Sequence, residues 1–114
     1  MNTDEHGLKS SGVTQAVIGC AMEVLNALVV ELRYRYIACQ QQPRFNVTYR
    51  GLTVGEYVPD LIVAAEVVVD TKVIDRITDH ELGQMLNYLK IAGLHVGLIL
   101  NFKRSKLEWK RVVL

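Results

Sequence analysis

Three apolar runs, Leu61-Ile62-Val63, Val67-Val68-Val69 and Val96-Gly97-Leu98-Ile99-Leu100, show no polar alternation. A strand with one wet face alternates apolar and polar residues, whereas a continuous run belongs to a sheet covered on both faces. A chain built around such strands must therefore place layers on either side of the sheet. The second run leads straight into Asp70-Thr71-Lys72. Charge emerging from a buried strand is costly unless it is paired or used.

The covering layers can be read from the rest of the chain. From Thr14 the residues Ile18, Ala21, Leu25, Leu28, Val29 and Leu32 recur at spacings of three and four, which predicts a helix to about Ile37. Thr14 or Ser11 could cap it, and Gln40-Gln41-Gln42-Pro43 ends it. Residues 1–12 are polar, contain Gly7 and Gly12, and are expected to fray as a disordered N-terminal segment. Phe45, Val47 and Tyr49 alternate with polar residues, and Arg50-Gly51 makes a turn. A second strand is expected from Leu52 through Tyr57 to Val63, and a third from Glu66 to Lys72. Thr78-Asp79-His80-Glu81 has the form of a capping box, Leu82, Met85, Leu86 and Leu89 follow at helical spacing, and Gly93 closes the helix. Val96–Leu100 and Trp109–Leu114 complete the strands. The expected fold class is α/β, a mixed central sheet flanked by helices, and 13–114 reads as one domain.

At +1 the net charge excludes binding of nucleic acid by bulk charge alone. Charge is concentrated, however, in Lys103, Arg104, Lys106, Lys110 and Arg111, with Glu108 the lone acid among them. Such a cluster can neutralise phosphates or simply form a solvated edge. Cys20 and Cys39 lack metal-ligand spacing and read as reduced, buried thiols. The polar N-terminus has no signal-peptide core, and no apolar run is read as spanning a bilayer. A cytoplasmic protein without membrane association is expected.

Pro59-Asp60, nine residues, then Asp70-Thr71-Lys72 fits the pattern PD-(D/E)XK. Phosphodiester hydrolysis needs a divalent cation to polarise phosphate and to acidify the attacking water. Magnesium takes hard oxygen ligands and keeps several waters, so one or two carboxylates suffice. Asp60 and Asp70 would supply them, with the Thr71 backbone carbonyl as a third ligand. Lys72 shares the face of Asp70 and can orient the water or stabilise developing charge. Register decides whether the site exists. A two-residue loop at Ala64-Ala65 would throw Asp70 to the wrong face, whereas a three-residue loop through Glu66 sets Asp60 opposite Asp70. Ala-Ala suits a two-residue hairpin poorly, which favours the second register. On the following helix Gln84 and Tyr88 lie one turn apart on one face.

Further stretches carry a resemblance: Ile18-Gly19 through Glu23-Val24, Glu31-Leu32-Arg33, Tyr49-Arg50-Gly51, Gly55-Glu56-Tyr57 and Gln84-Met85-Leu86-Asn87-Tyr88-Leu89. Gly97-Leu98-Ile99-Leu100-Asn101-Phe102 and Lys110-Arg111-Val112-Val113-Leu114 extend it. From Val17 onward the chain resembles the GxxExxY family of the PD-(D/E)XK nuclease superfamily. The resemblance implies a restriction-endonuclease-like three-layer fold and a magnesium- or manganese-dependent nuclease. It implies Asp60, Asp70 and Lys72 as catalytic residues, supported by Gln84 and Tyr88, and nucleic acid, DNA ahead of RNA, as partner. Two departures stand out. Asp70 and Thr71 replace the usual glutamate and leucine, and the namesake first-helix segment is missing after Leu28, as if deleted. Glu31 and Glu23 are then the first-helix carboxylates that could complete the metal site, against the competing reading of each as a surface or ion-paired residue.

Other polar residues carry competing expectations. His80, at a helix start, reads as exposed, and His6 and His95 lack partners at ligand spacing. Glu56 could face the site or solvent. Tyr34 and Tyr36 are expected to pack at the helix end, and Trp109 to anchor the last strand. Losing helix from so small a domain would expose apolar surface, so a homodimer is expected. The rival to an enzyme is a binding or scaffold module that keeps the fold without turnover.

Overall fold

The structure, a computed structural model, describes residues 3–114, and the side chains of residues 12–114 other than Thr14 and Ala21. In chain order the elements are α1 (Thr3–Tyr34), β1 (Cys39–Gln41), β2 (Phe45–Tyr49), β3 (Leu52–Tyr57), β4 (Leu61–Val63) and β5 (Val67–Lys72). They continue with α2 (Asp79–Ala92), β6 (Val96–Asn101) and β7 (Glu108–Val113). The main sheet has the order β1-β4-β5-β6-β7, and β2 and β3 form a separate hairpin. Only β5 and β6 pair in parallel, with α2 as the crossover between them.

The apolar runs are covered on both faces, as their continuity requires. Leu25 and Val29 of α1 pack on Leu61 and Val69. On the opposite face Met85 and Leu89 of α2, together with Tyr57 of the hairpin, pack on Ile62, Val68, Ile99 and Val112. The result is a three-layer α/β fold with a mixed central sheet. Gly97 allows α2 to approach closely, since a Cβ there would stand 2.5 Å from Met85 Sδ. The ends of α2 follow their sequence signals. The Thr78 N–H donates to Glu81 Oε1 at 2.8 Å, and Gly93 at φ 70° closes the helix.

Several expectations need correction. Helix α1 begins at Thr3 rather than near Thr14, so residues 3–12 are helical rather than frayed; Met1 and Asn2 lie outside the described residues. No proline interrupts this stretch, and each glycine weakens a helix by only about 1 kcal/mol relative to alanine. The helix ends at Tyr34, before Ile37. Tyr36 turns left-handed at φ 58°, its N–H donates to Arg33 O, and the Ile37 N–H donates to Leu32 O. That is a Schellman end with tyrosine where glycine is usual. Tyr34 and Tyr36 consequently project into solvent rather than packing. Trp109 is also more exposed than an anchor would be, and Cys20 is exposed rather than buried. One stretch, Gln15–Tyr34, is long and apolar enough to cross a membrane by length and composition, contrary to the sequence reading.

The expected second strand is two strands. It breaks at Val58-Pro59-Asp60, where buried Pro59 has no N–H to continue a ladder, and β4 leaves the hairpin for the main sheet. There it is flanked by β1, which the sequence reading did not anticipate. The register of β4 on β5 is Leu61↔Val69, Ile62↔Val68 and Val63↔Val67, which leaves the three-residue loop Ala64-Ala65-Glu66.

Candidate active site

Strand periodicity distributes β5 between the two faces. Val67 and Val69 face α1, whereas Val68 faces α2 and carries Asp70 and Lys72 with it. Continuing the β4–β5 register by one residue sets Asp60 across from Asp70. Asp60 is held tightly. Its Oδ2 accepts the Thr71 backbone N–H at 2.7 Å and the Thr71 hydroxyl at 2.6 Å. Lys72 Nζ lies 3.2 Å from Asp70 Oδ2 and donates to Gln84 Oε1 at 2.7 Å. Gln84 and Tyr88 project from the same face of α2, so Asp60, Asp70, Lys72, Gln84 and Tyr88 all converge on one place.

Burial dominates the electrostatics of this place. It pushes the Asp70 carboxyl above the ordinary range; Lys72 opposes the shift and the Asp60 charge reinforces it. The Tyr88 phenol is raised by burial and by Asp70. Two carboxylates that share one half-buried site with a single ammonium form a natural cradle for a further cation. Thr71 adds to it. The N–H and C=O of a strand residue face the same neighbour. The Thr71 carbonyl therefore opens on the Asp60 edge, whereas Lys72 O faces β6, where it accepts the Phe102 N–H at 2.9 Å. Two carboxylates and a carbonyl are hard oxygen donors, and they fit magnesium or manganese.

Glu31 does not belong to this set. It lies on α1, across the sheet from Asp70, is exposed, and pairs with Arg35 at 3.0 Å. Periodicity marks the helix face that is buried but not the sheet face on which it lands. Glu23 is exposed on the same helix. Among the described residues no three His, Cys, Asp or Glu side chains group as a metal site. Glu56 pairs with Arg44 at 3.3 Å, and His80 and His95 are exposed. The side chain of His6 lies outside the described residues.

The sequence reading missed Tyr57. Its ring is buried and stacks on Tyr88, with centroids 4.0 Å apart and planes 12° apart, and on Phe45 at 6.4 Å. Its hydroxyl has no hydrogen-bond partner among the described residues. Burial, then Asp70, holds the phenol protonated far above its ordinary value. The signal was a tyrosine three residues before Asp60, hidden because the strand break at Pro59 was not foreseen.

A cavity of about 320 Å³ opens between the β5–α2 and β6–β7 loops, at the sheet end that carries Asp70 and Lys72. Arg76, Arg104 and Lys106 line it. Its two acids are already engaged. Asp75 pairs with Lys103, and Glu108 accepts the Ile77 N–H at 2.9 Å and Asn101 Nδ2 at 2.9 Å.

This fold, with paired aspartates and a lysine where two neighbouring strands meet, defines a nuclease-like α/β domain. Residues 11–112 match the family model of the PD-(D/E)XK nuclease superfamily, and the chain belongs to that superfamily. It is also similar to a solved protein, the crystal structure of SSO0001, at a TM-score of 0.63 and 13% identity. That likeness covers 96% of this chain but 56% of the other, so it concerns the fold alone and a protein of greater length. The comparison with curated proteins finds no match.

Proposed function

We propose that this domain is a magnesium- or manganese-dependent phosphodiesterase acting on nucleic acid, DNA ahead of RNA. The observation that carries the proposal is the β4–β5 register, which sets Asp60 against Asp70 with Lys72 on the same face. Asp60, Asp70 and the Thr71 carbonyl would hold the cation, which when bound polarises phosphate and acidifies water. Thr71 binds one oxygen of Asp60, which leaves the other available to a cation. Gln84 holds Lys72 beside Asp70, where the ammonium can orient the attacking water and neutralise charge on the phosphate. Arg76, Arg104 and Lys106 supply cations at the same sheet end for the flanking backbone phosphates. Asp60→Ala and Lys72→Ala should each abolish metal-dependent cleavage while keeping the fold. Cleavage by both at the parental rate would end this assignment.

A second reading is a binding or scaffold module without turnover. The position of Glu31 favours it, because among the described residues α1 brings no carboxylate to the site. Magnesium titration beside assays on single- and double-stranded DNA and RNA separates the two. Metal binding without cleavage selects the module.

Three finer points belong to the same proposal. The chain is a GxxExxY-family member whose first-helix segment has been shortened. It acts in the cytoplasm, which expression of a tagged full chain followed by fractionation would test. It forms a homodimer through α1, along which Val13, Ile18, Met22, Val24 and Val30 are exposed. A monomeric mass by light scattering would exclude the dimer.

A further inference from the structure

We propose that the Tyr57 hydroxyl is a positioning group of this site, donating its hydrogen to an oxygen lodged between Asp60 and Asp70, a water or a phosphate oxygen. The inference rests on the reading of Asp60 and Asp70 as cation ligands and adds a residue to it.

Buried polar groups in native proteins almost always have a partner, and an exception calls for an explanation. Tyr57 is 8% exposed, and its oxygen is the buried side-chain atom left without one among the described residues. Packing alone does not require a hydroxyl. The ring fills the space between Phe45 and Tyr88, and phenylalanine would fill it as well. The close stack on Tyr88, 4.0 Å between centroids, instead holds the plane of the ring and with it the direction of the C–O bond. Tyr88, on which the ring stacks, shares a face of α2 with Gln84, and Gln84 bonds Lys72 beside Asp70, which puts Tyr57 next to the carboxylates. A tyrosine phenol carries its proton at neutral pH, so it can act as a donor. A neutral donor beside two acceptor-only carboxylates can bind an oxygen that those carboxylates, or a cation they hold, bring near. Lys72 gives two of its three donors to Asp70 and Gln84, and Tyr57 adds a second, neutral donor beside the one that remains.

Tyr57→Phe tests the inference through two readouts that move in opposite directions. An unpartnered buried hydroxyl destabilises the fold, so the metal-free variant should melt a few degrees higher than the parent. With manganese, the variant should bind the ion about tenfold to a hundredfold more weakly or cleave DNA more slowly by a similar factor. A lower melting temperature would mean that the hydroxyl has a protein partner, and the proposal would be wrong. Unchanged manganese affinity and cleavage in a variant that melts higher would also overturn it. If the parent itself neither binds manganese nor cleaves, the reading of the carboxylates fails and the Tyr57 role falls with it. Parental binding with an indifferent variant sinks the Tyr57 role alone.

Discussion

Asp60 reaches across to Thr71, taking both its backbone N–H and its hydroxyl on a single carboxylate oxygen at 2.7 and 2.6 Å. Thr71, the variable position of the PD-(D/E)XK pattern, therefore fixes the orientation of the first aspartate. Thr71→Val keeps the shape and the N–H bond but removes the hydroxyl. Hydrogen bonds to charged groups contribute about 1.5–3 kcal/mol, and the surviving N–H bond limits the loss here to about 1–2 kcal/mol. Denaturant unfolding should show that loss, and metal-dependent cleavage should fall about tenfold as Asp60 loosens.

Asp70 should cost the metal-free protein stability. Burial and the Asp60 charge raise its carboxyl above the ordinary range more than Lys72 lowers it. A carboxyl raised on folding destabilises above its folded pKa, and the cost is relieved as pH falls through that value. Asp70→Asn should therefore melt higher than the parent at pH 7, with the gap closing as the pH falls towards the ordinary aspartate range. Magnesium should stabilise the parent but not the variant. Thermal melts at two pH values, with and without magnesium, check all of these outcomes.

The cavity lined by Arg76, Arg104 and Lys106 leads to a prediction about affinity rather than chemistry. Replacing all three with alanine should weaken binding of a DNA duplex and leave the manganese affinity of the protein unchanged. Each phosphate contact contributes about 0.9 to the slope of log affinity against log salt. Three lost contacts should therefore flatten the slope by about two to three, measured by fluorescence anisotropy across a salt series.

Much of this architecture is legible in the sequence, because local chemistry decides it. Thr78, Glu81 and Gly93 bound α2 where their capping signals stand. The pair Gln84 and Tyr88 reaches the site because helical spacing fixes a common face. The features that escaped depend on which layer meets which. The burial stripe of α1 predicts a buried face but not that the helix lies across the sheet from Asp70, so Glu31 was misplaced. The strand Cys39–Gln41 exists because β4 offers it an edge, and three residues, two of them glutamine, carry no signal of that. Tyr57 joined the site only because Pro59 splits one expected strand between two sheets.

The turn that fixes the register of the site is itself strained, and this gives the sharpest prediction. Ala64 and Ala65 adopt φ 54° and 56°, and the Glu66 N–H donates to Val63 O at 3.0 Å. Left-handed backbone costs an L-residue with a Cβ roughly 1–2 kcal/mol, and asparagine and glycine tolerate it far better. The sequence argued against a two-residue hairpin because alanine is poor at positive φ, yet both alanines adopt it within the longer loop. They do so because the alternative register would bury Asp70 among the apolar residues beneath α1, at a cost above that of the turn. Replacing Ala64-Ala65 with Asn-Gly should therefore stabilise the protein by about 1 kcal/mol, partly offset by the freedom that glycine adds to the unfolded chain. The register should stay as it is, so cleavage should remain at the parental level. A variant that unfolds at lower denaturant, or that gains stability while losing cleavage, would mean that the turn and not the burial of Leu61, Val68 and Val69 sets Asp60 against Asp70.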